Sequence, residues 1–313
     1  MQQPQCADAV LMVRPAAFDY NAETAASNRM QRRLSLARGE AAARAMLEFD
    51  RVVNALRGEG IRVCVADDTL EPPRPDAVFP NNWVSFHADG TVVLYPLQAQ
   101  SRRRERRPEI VTGVIERLGF RARRTLDLTP HEAAGRYLEG TGSLVLDHIE
   151  RVAYACRSPR TSAEALDEWC REMAYEPVPF NAFDRGGAPL YHTNVLMCIG
   201  NRIAVVGAAA IAPEDRQAVL GRLAASGREI IEIGYDGIER FAGNALELAS
   251  WDEALGDCSV WVMSATARGA FDASTFARLA GGTDTVLTVE IPTIEQLGGG
   301  SVRCMLAEVF CAP

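Results

Sequence analysis

Gly140-Thr141-Gly142-Ser143-Leu144-Val145 runs from small loop residues straight into an apolar strand, and the chain repeats that transition four more times. The other four are Asn81-Asn82-Trp83-Val84, Thr193-Asn194-Val195-Leu196, Gly243-Asn244-Ala245-Leu246 and Gly300-Ser301-Val302. Their starts, at residues 81, 140, 193, 243 and 300, lie 59, 53, 50 and 57 residues apart. A near-regular period of this size reads as a set of repeated units. Each unit has room for a helix and several short strands. Five such units closed in a ring would gather all five loops around one central cavity.

The segments between the loops fit that reading. Helices are expected from Glu40 to Leu56, stopped by Gly58 and Gly60, and from Pro108 to Leu118, with proline in the first turn and Gly119 at the end. Thr161-Ser162-Ala163-Glu164 reads as a capping box opening a helix that runs to about Met173. Pro213 to Ala225 and Asp272 to Leu279 are further helices. Strand-type runs occur at Thr91–Tyr95, Ser143–Leu146, Val195–Ile199, Ile203–Val206, Glu229–Ile233, Val260–Met263 and Val286–Val289. Strands and helices interleave, which is an α/β pattern. The expectation is a single domain over residues 1–313.

Composition narrows the chemistry. The chain has 313 residues, 48% hydrophobic and 24% charged, which is ordinary for a globular protein. The net charge of −8 argues against a nucleic-acid partner, and no apolar run is long enough for a membrane span. No signal peptide is apparent, and eight scattered cysteines without any C-x-x-C pair fit a reducing, cytoplasmic setting. All 33 basic residues are arginine, so a Schiff-base lysine, a pyridoxal phosphate lysine and a P-loop lysine are excluded together. The four histidines, His87, His131, His148 and His192, show no metal-ligand spacing, so neither a metal nor another cofactor is expected.

Three of the five loops carry or abut groups suited to covalent catalysis. Glu139 precedes the second loop, His192 precedes the third, and Cys304 follows Gly298-Gly299-Gly300-Ser301. A thiol with an ordinary pKa near 8.5 is only roughly 3% thiolate at neutral pH. A nearby protonated imidazole stabilises the thiolate and can then protonate a leaving amine. A carboxylate can hold the imidazole or orient a polar substrate. Each residue alone has an ordinary structural reading. At equivalent ends of a repeated unit, they converge.

These motifs resemble the signature loops of the guanidine-modifying, or pentein, superfamily. The group includes arginine deiminases, arginine dihydrolases, dimethylarginine hydrolases and amidinotransferases. The resemblance is carried by Asp76-Ala77-Val78-Phe79-Pro80-Asn81-Asn82, Leu138-Glu139-Gly140-Thr141-Gly142, His192-Thr193-Asn194 and Gly299-Gly300-Ser301-Val302-Arg303-Cys304-Met305. The opening Arg14-Pro15-Ala16-Ala17-Phe18, with Asn21, Glu23, Thr24 and Asn28, resembles the amidinotransferase-related, citrulline-utilization hydrolase branch. The similarity runs from about residue 10 to the end. It implies a five-bladed pseudo-symmetric α/β propeller, with Cys304 as nucleophile, His192 as general acid/base and Glu139 as the catalytic acid residue. It also implies Arg102 and Arg160 as holders of an amino-acid carboxylate, a task the planar guanidinium fork suits. Asp76, Phe79, Asn82 and Asn194 complete the implied substrate-binding set.

Two departures bear on the substrate. Where deiminases of the superfamily place an aspartate in F-x-x-D and another in H-x-D, this chain has Asn82 and Asn194. A guanidinium would lose two charge-assisted hydrogen bonds, each worth roughly 1.5–3 kcal/mol. A neutral ureido group loses no charge pairing, and an amide offers it both a donor and an acceptor. The loop Glu139-Gly140-Thr141-Gly142 also departs from the usual E-G-G-D. The expected activity is therefore cysteine-dependent hydrolysis of a linear C–N bond, with citrulline giving ornithine, ammonia and carbon dioxide. The alternatives are an arginine deiminase or dihydrolase, a dimethylarginine hydrolase, an amidinotransferase and a non-catalytic propeller that only binds. The expected partner is a small amino-acid substrate, with homo-oligomerisation left open.

Overall fold

A computed structural model describes residues 4–37, 39–252 and 256–311. The ends of the 1–313 domain expectation lie outside the described residues. The fold is mixed α/β, and the five sequence repeats correspond to five copies of one topology. In each copy two short strands pair antiparallel, a helix crosses over, and a third strand returns parallel to the second.

In the first unit Val84–Phe86 pairs with Thr91–Leu94, the helix Pro108–Leu118 follows, and Arg124–Asp127 returns. The second is Leu144–Asp147, Val152–Cys156, helix Ala163–Met173 and Glu176–Phe180. The third is Met197–Ile199, Ile203–Val206, helix Pro213–Ala225 and Glu229–Glu232. The fourth is Leu246–Asp252, Gly256–Ser264, helix Ala273–Gly281 and Thr285–Val289. The fifth is assembled from both ends of the chain. Ala307–Val309 pairs antiparallel with Ala9–Arg14, the helix Glu40–Gly58 crosses over, and Arg62–Asp67 returns. A further parallel contact, Val309 with Phe86, merges the fifth and first units into one six-stranded sheet, and the other three remain separate three-stranded sheets.

Burial follows strand position. The middle strand Val152–Cys156 is buried along its whole length, whereas the returning strand Glu229–Glu232 buries only Ile231. The helix Glu40–Gly58 buries Ala41, Ala45, Phe49, Val52, Val53 and Leu56, a stripe at helical spacing that covers the fifth unit.

Three local expectations need correction. Four of the five small-residue segments are single helical turns rather than open loops: Pro80–Asn82, Gly140–Ser143, Thr193–Val195 and Val302–Met305. The third strand accordingly begins at Met197, not Val195, and Cys304 sits on a helical turn. The helix Ala163–Met173 is capped at Ser162 without a capping box. Its Ser162 hydroxyl is taken by the Tyr137 N–H at 2.8 Å, and Glu164 lies 3.5 Å from Arg136 instead.

Candidate active site

Each turn delivers one side chain at the start of its strand. Cys304 follows the helix Pro292–Gly298, whose first N–H groups would be unsatisfied without a cap. Glu48, from the long crossover helix, accepts from the Thr293 N–H at 2.9 Å and the Ile294 N–H at 3.0 Å. That helix ends at Gly299, whose φ of +63° lies in the left-handed region that favours glycine. Ser301 donates to Glu295 at 2.6 Å, and a Cβ on Gly300 would stand 3.2 Å from the Cys304 sulfur. The thiol is thus clasped by a helix end and a glycine loop.

Glu139 and His192 meet directly. The His192 Nε2 lies 2.8 Å from the Glu139 Oε2, and both side chains are buried. Gly142, in the altered part of the E-G-T-G loop, makes this contact possible. A Cβ there would stand 2.7 Å from the imidazole and 2.5 Å from the Asn82 Nδ2. Glu139 also accepts from the Gln98 N–H at 3.0 Å and from Arg160 at 3.3 Å, with Arg102 3.9 Å away. Burial alone would raise the Glu139 carboxyl, but Arg160, the His192 hydrogen bond and Arg102 outweigh it and hold it well below the usual carboxylate range. Burial pushes His192 down to about 4, against the pull of Glu139 and with help from Arg160 and Arg102. The resting pair is therefore an ionised carboxylate and a neutral imidazole able to accept a proton. Burial pushes the Cys304 thiol up, while Asn244, the Ser301 backbone, Arg303 and Asn194 oppose it.

Cys304, His192, Asn82, Arg102, Arg160, Asp76 and Phe79 line one cavity, with Thr24, Asn28 and Gln31 of the N-terminal segment across it. The free volume inside is about 20 Å³, room for a single water. A groove of about 770 Å³ lies on the other side of Tyr191 and contains neither Cys304 nor His192. Among the described residues no cluster of His, Cys, Asp and Glu could hold a metal ion, and no helix is long and apolar enough to cross a membrane.

Some placements differ from the roles expected of the residues. Arg102 is fully engaged by protein. It makes a two-pronged pair with Glu105 at 2.9 and 2.8 Å, and donates to the Asn82 Oδ1 at 2.7 Å and the Phe79 carbonyl at 3.2 Å. Arg160 donates to the Ser27 hydroxyl at 2.9 Å, the Thr24 carbonyl at 2.7 Å and Glu139, and stacks over the Tyr191 ring. Asn194 turns to Cys304: its Nδ2 lies 3.1 Å from the Thr141 carbonyl and 3.5 Å from the Cys304 sulfur. Asn244, to which no role was expected to fall, also faces that sulfur, its Nδ2 at 3.3 Å. The signal for it was present. Asn244 holds the same place in Gly243-Asn244-Ala245-Leu246 as Asn194 in Thr193-Asn194-Val195-Leu196.

Three buried polar atoms of residues on the cavity wall have no partner: the Asn82 Nδ2, the Asp76 Oδ1 and the Gln31 Oε1. The other atom of each group is fixed, the Asn82 oxygen by Arg102, the Asp76 Oδ2 by Asn21 at 2.7 Å and Thr24 at 3.2 Å, and the Gln31 Nε2 by the Thr24 hydroxyl at 3.0 Å and the Gly298 carbonyl at 3.1 Å. The wall thus offers one donor and two acceptors.

The fold and these groups place the chain among the enzymes of the guanidine-modifying superfamily, hydrolases acting on guanidino-type groups. The model of the family "N,N dimethylarginine dimethylhydrolase, eukaryotic" matches residues 14–311, and the chain belongs to that family. No curated protein matches the chain. Among solved structures it is similar to ArgZ, an arginine dihydrolase from the ornithine–ammonia cycle in cyanobacteria, with a TM-score of 0.73 and 17% identity. That match covers 97% of this chain but only 41% of ArgZ. Against the N-terminal domain of ArgZ bound to substrate the coverage is 97% and 98%, again at 0.73 and 17%. A dimethylarginine dimethylaminohydrolase adduct with 4-chloro-2-hydroxymethylpyridine gives 0.62 and 17%, covering 98% and 100%.

Proposed function

We propose that this enzyme hydrolyses the ureido group of a free amino acid, with citrulline giving ornithine, ammonia and carbon dioxide. The observation that carries this reading is the unpaired donor, the Asn82 Nδ2, beside the two acceptors on the cavity wall. A guanidinium presents only donors and would leave the Asn82 Nδ2 facing another N–H. A ureido group presents a carbonyl oxygen to that Nδ2 and an N–H to the Asp76 Oδ1. Buried groups left unpaired cost about 1–3 kcal/mol each, so a ligand that satisfies the donor as well as the acceptors is favoured.

The Cys304 thiol gives its proton to neutral His192 as the sulfur attacks the ureido carbon, and Glu139 stabilises the imidazolium that forms. His192 returns the proton to the departing terminal nitrogen, which leaves as ammonia. Water activated by His192 then cleaves the thiocarbamate, and the resulting carbamate loses carbon dioxide. Arg160, with an N–H to spare on each terminal nitrogen, is the stronger candidate to meet the substrate carboxylate. Citrulline needs more room than one water, so the segment bearing Thr24, Asn28 and Gln31 moves on binding. The five units close about one axis as a five-bladed propeller.

The membership of the family favours a second reading, in which a methylated arginine or arginine itself is the substrate. Ammonia and ornithine are measured together on citrulline, arginine, dimethylarginine and agmatine, for the native enzyme and Cys304→Ala. Ornithine and ammonia released from citrulline, and a loss of at least about 10⁴-fold in Cys304→Ala, support the proposal. Dimethylamine or citrulline as end product replaces it with the second reading.

A further inference from the structure

The nucleophile has no cationic partner in hydrogen-bond contact. His192 is engaged with Glu139, and the Arg303 guanidinium beside it donates to the Leu306 carbonyl at 2.8 Å and Glu308 at 2.6 Å. Two carboxamides face the sulfur instead, and they do so in the same way. The Asn194 Nδ2 is shared between the Thr141 carbonyl, 3.1 Å, and the sulfur, 3.5 Å. The Asn244 Nδ2 is shared between the Asn194 carbonyl, 2.8 Å, and the sulfur, 3.3 Å. The carbonyl anchors decide which way each amide points, since an amide oxygen placed there would face another oxygen. The two oxygens remain within reach of a protonated thiol, at 3.8 Å from Asn194 and 3.6 Å from Asn244.

We infer that Asn244, together with Asn194, forms a two-amide cradle that positions the Cys304 sulfur and stabilises it as thiolate. This rests on Cys304 being the nucleophile. The amide oxygens receive the S–H of the thiol, and the amide nitrogens donate to the sulfur once it is ionised. Asn244 is the nearer donor, and it is fully buried. Its anchor on the Asn194 backbone couples the two amides, so one holds the other. The charged and titratable groups that share the site are His192, Tyr191, Arg102, Arg160 and Asp76 across the cavity and Arg303 along the chain. None of them hydrogen-bonds the sulfur. Asn244 acts through Cys304 and touches no part of the cavity that receives substrate, so it is a positioning residue.

The test is the pH dependence of iodoacetamide alkylation at Cys304, followed by peptide mapping so that the other seven cysteines do not contribute. Asn244→Ala removes the nearer donor and is expected to slow alkylation at pH 7 by about tenfold, equal to a rise of one pKa unit. Asn244→Asp, which puts a carboxylate in the same place, is expected to slow it further. Asn194→Ala gives a smaller shift in the same direction, and it serves if the Asn244 variants do not fold. Folded variants whose alkylation profiles lie within twofold of the native one overturn the cradle. Alkylation is read without turnover, so loss of this result leaves the citrulline reading standing, and loss of that reading leaves this measurement intact.

Discussion

Asn82 and Asn194 each lie on the single helical turn that precedes a strand, yet they are used in opposite ways. On the Arg102 side the amide oxygen of Asn82 is fixed by a buried guanidinium, and the nitrogen faces the cavity without a partner. On the thiol side the amide nitrogen of Asn194 is fixed by a backbone carbonyl and the sulfur. One side leaves polar capacity open for a ligand, and the other closes its capacity around the nucleophile. What distinguishes them is the neighbour. A cation takes the amide oxygen, a carbonyl takes the amide nitrogen, and the remaining atom is what the site has to work with.

The largest way to break this comparison is to remove the group that holds Arg102. Glu105→Ala leaves a buried guanidinium without its two-pronged partner and is expected to cost about 3–5 kcal/mol of stability by denaturant unfolding. Asn82 loses its orientation at the same time. A loss under about 1 kcal/mol would mean that Arg102 does not fix the amide. Asn82→Asp is gentler, because Arg102 keeps an oxygen to pair with and the cavity gains a carboxylate. We expect kcat/KM on citrulline to fall by about 10- to 150-fold, the equivalent of 1.5–3 kcal/mol, and activity on guanidinium substrates to rise. Unchanged preference would place specificity elsewhere.

The smallest effect is on the thiol side and concerns pH. The proposed mechanism needs one proton shared between Cys304 and His192. His192 is neutral above about 4, and burial holds the thiol protonated into the alkaline range. Protonation of His192 removes the acceptor, so activity is lost as pH falls through about 4. The expectation is a flat kcat/KM on citrulline from about pH 5.5 to 8, with an acid limb below it. A slope of one log unit per pH unit across that range would show that thiolate must form before substrate binds.

Much of this arrangement is legible in the residues. The helices Pro108–Leu118 and Pro213–Ala225 and the strand Ile203–Val206 fall where the pattern put them, because proline, glycine and apolar spacing mark them. The single helical turns before the strands are not, since three or four residues carry too few signals to separate a turn of helix from a loop. The convergence of Glu139, His192 and Cys304 on one region was foreseeable from the repeat. The partners were not. That Glu105 would occupy Arg102, three residues before it, or that Asn244 would face a sulfur sixty residues further on, depends on side-chain direction within the turns, which spacing alone leaves open.

The stitching of Ala9–Arg14 to Ala307–Val309 has a consequence for how the molecule comes into being. Four units are contiguous in the chain and can gather their own strands locally. The fifth joins segments some 300 residues apart, a slow closure dominated by the entropy of the long intervening chain. The thiol lies on the turn immediately before that last strand. The turn that carries the thiol is therefore held in place by pairing between segments far apart in sequence, whereas Glu139 and His192 lie beside contiguous units.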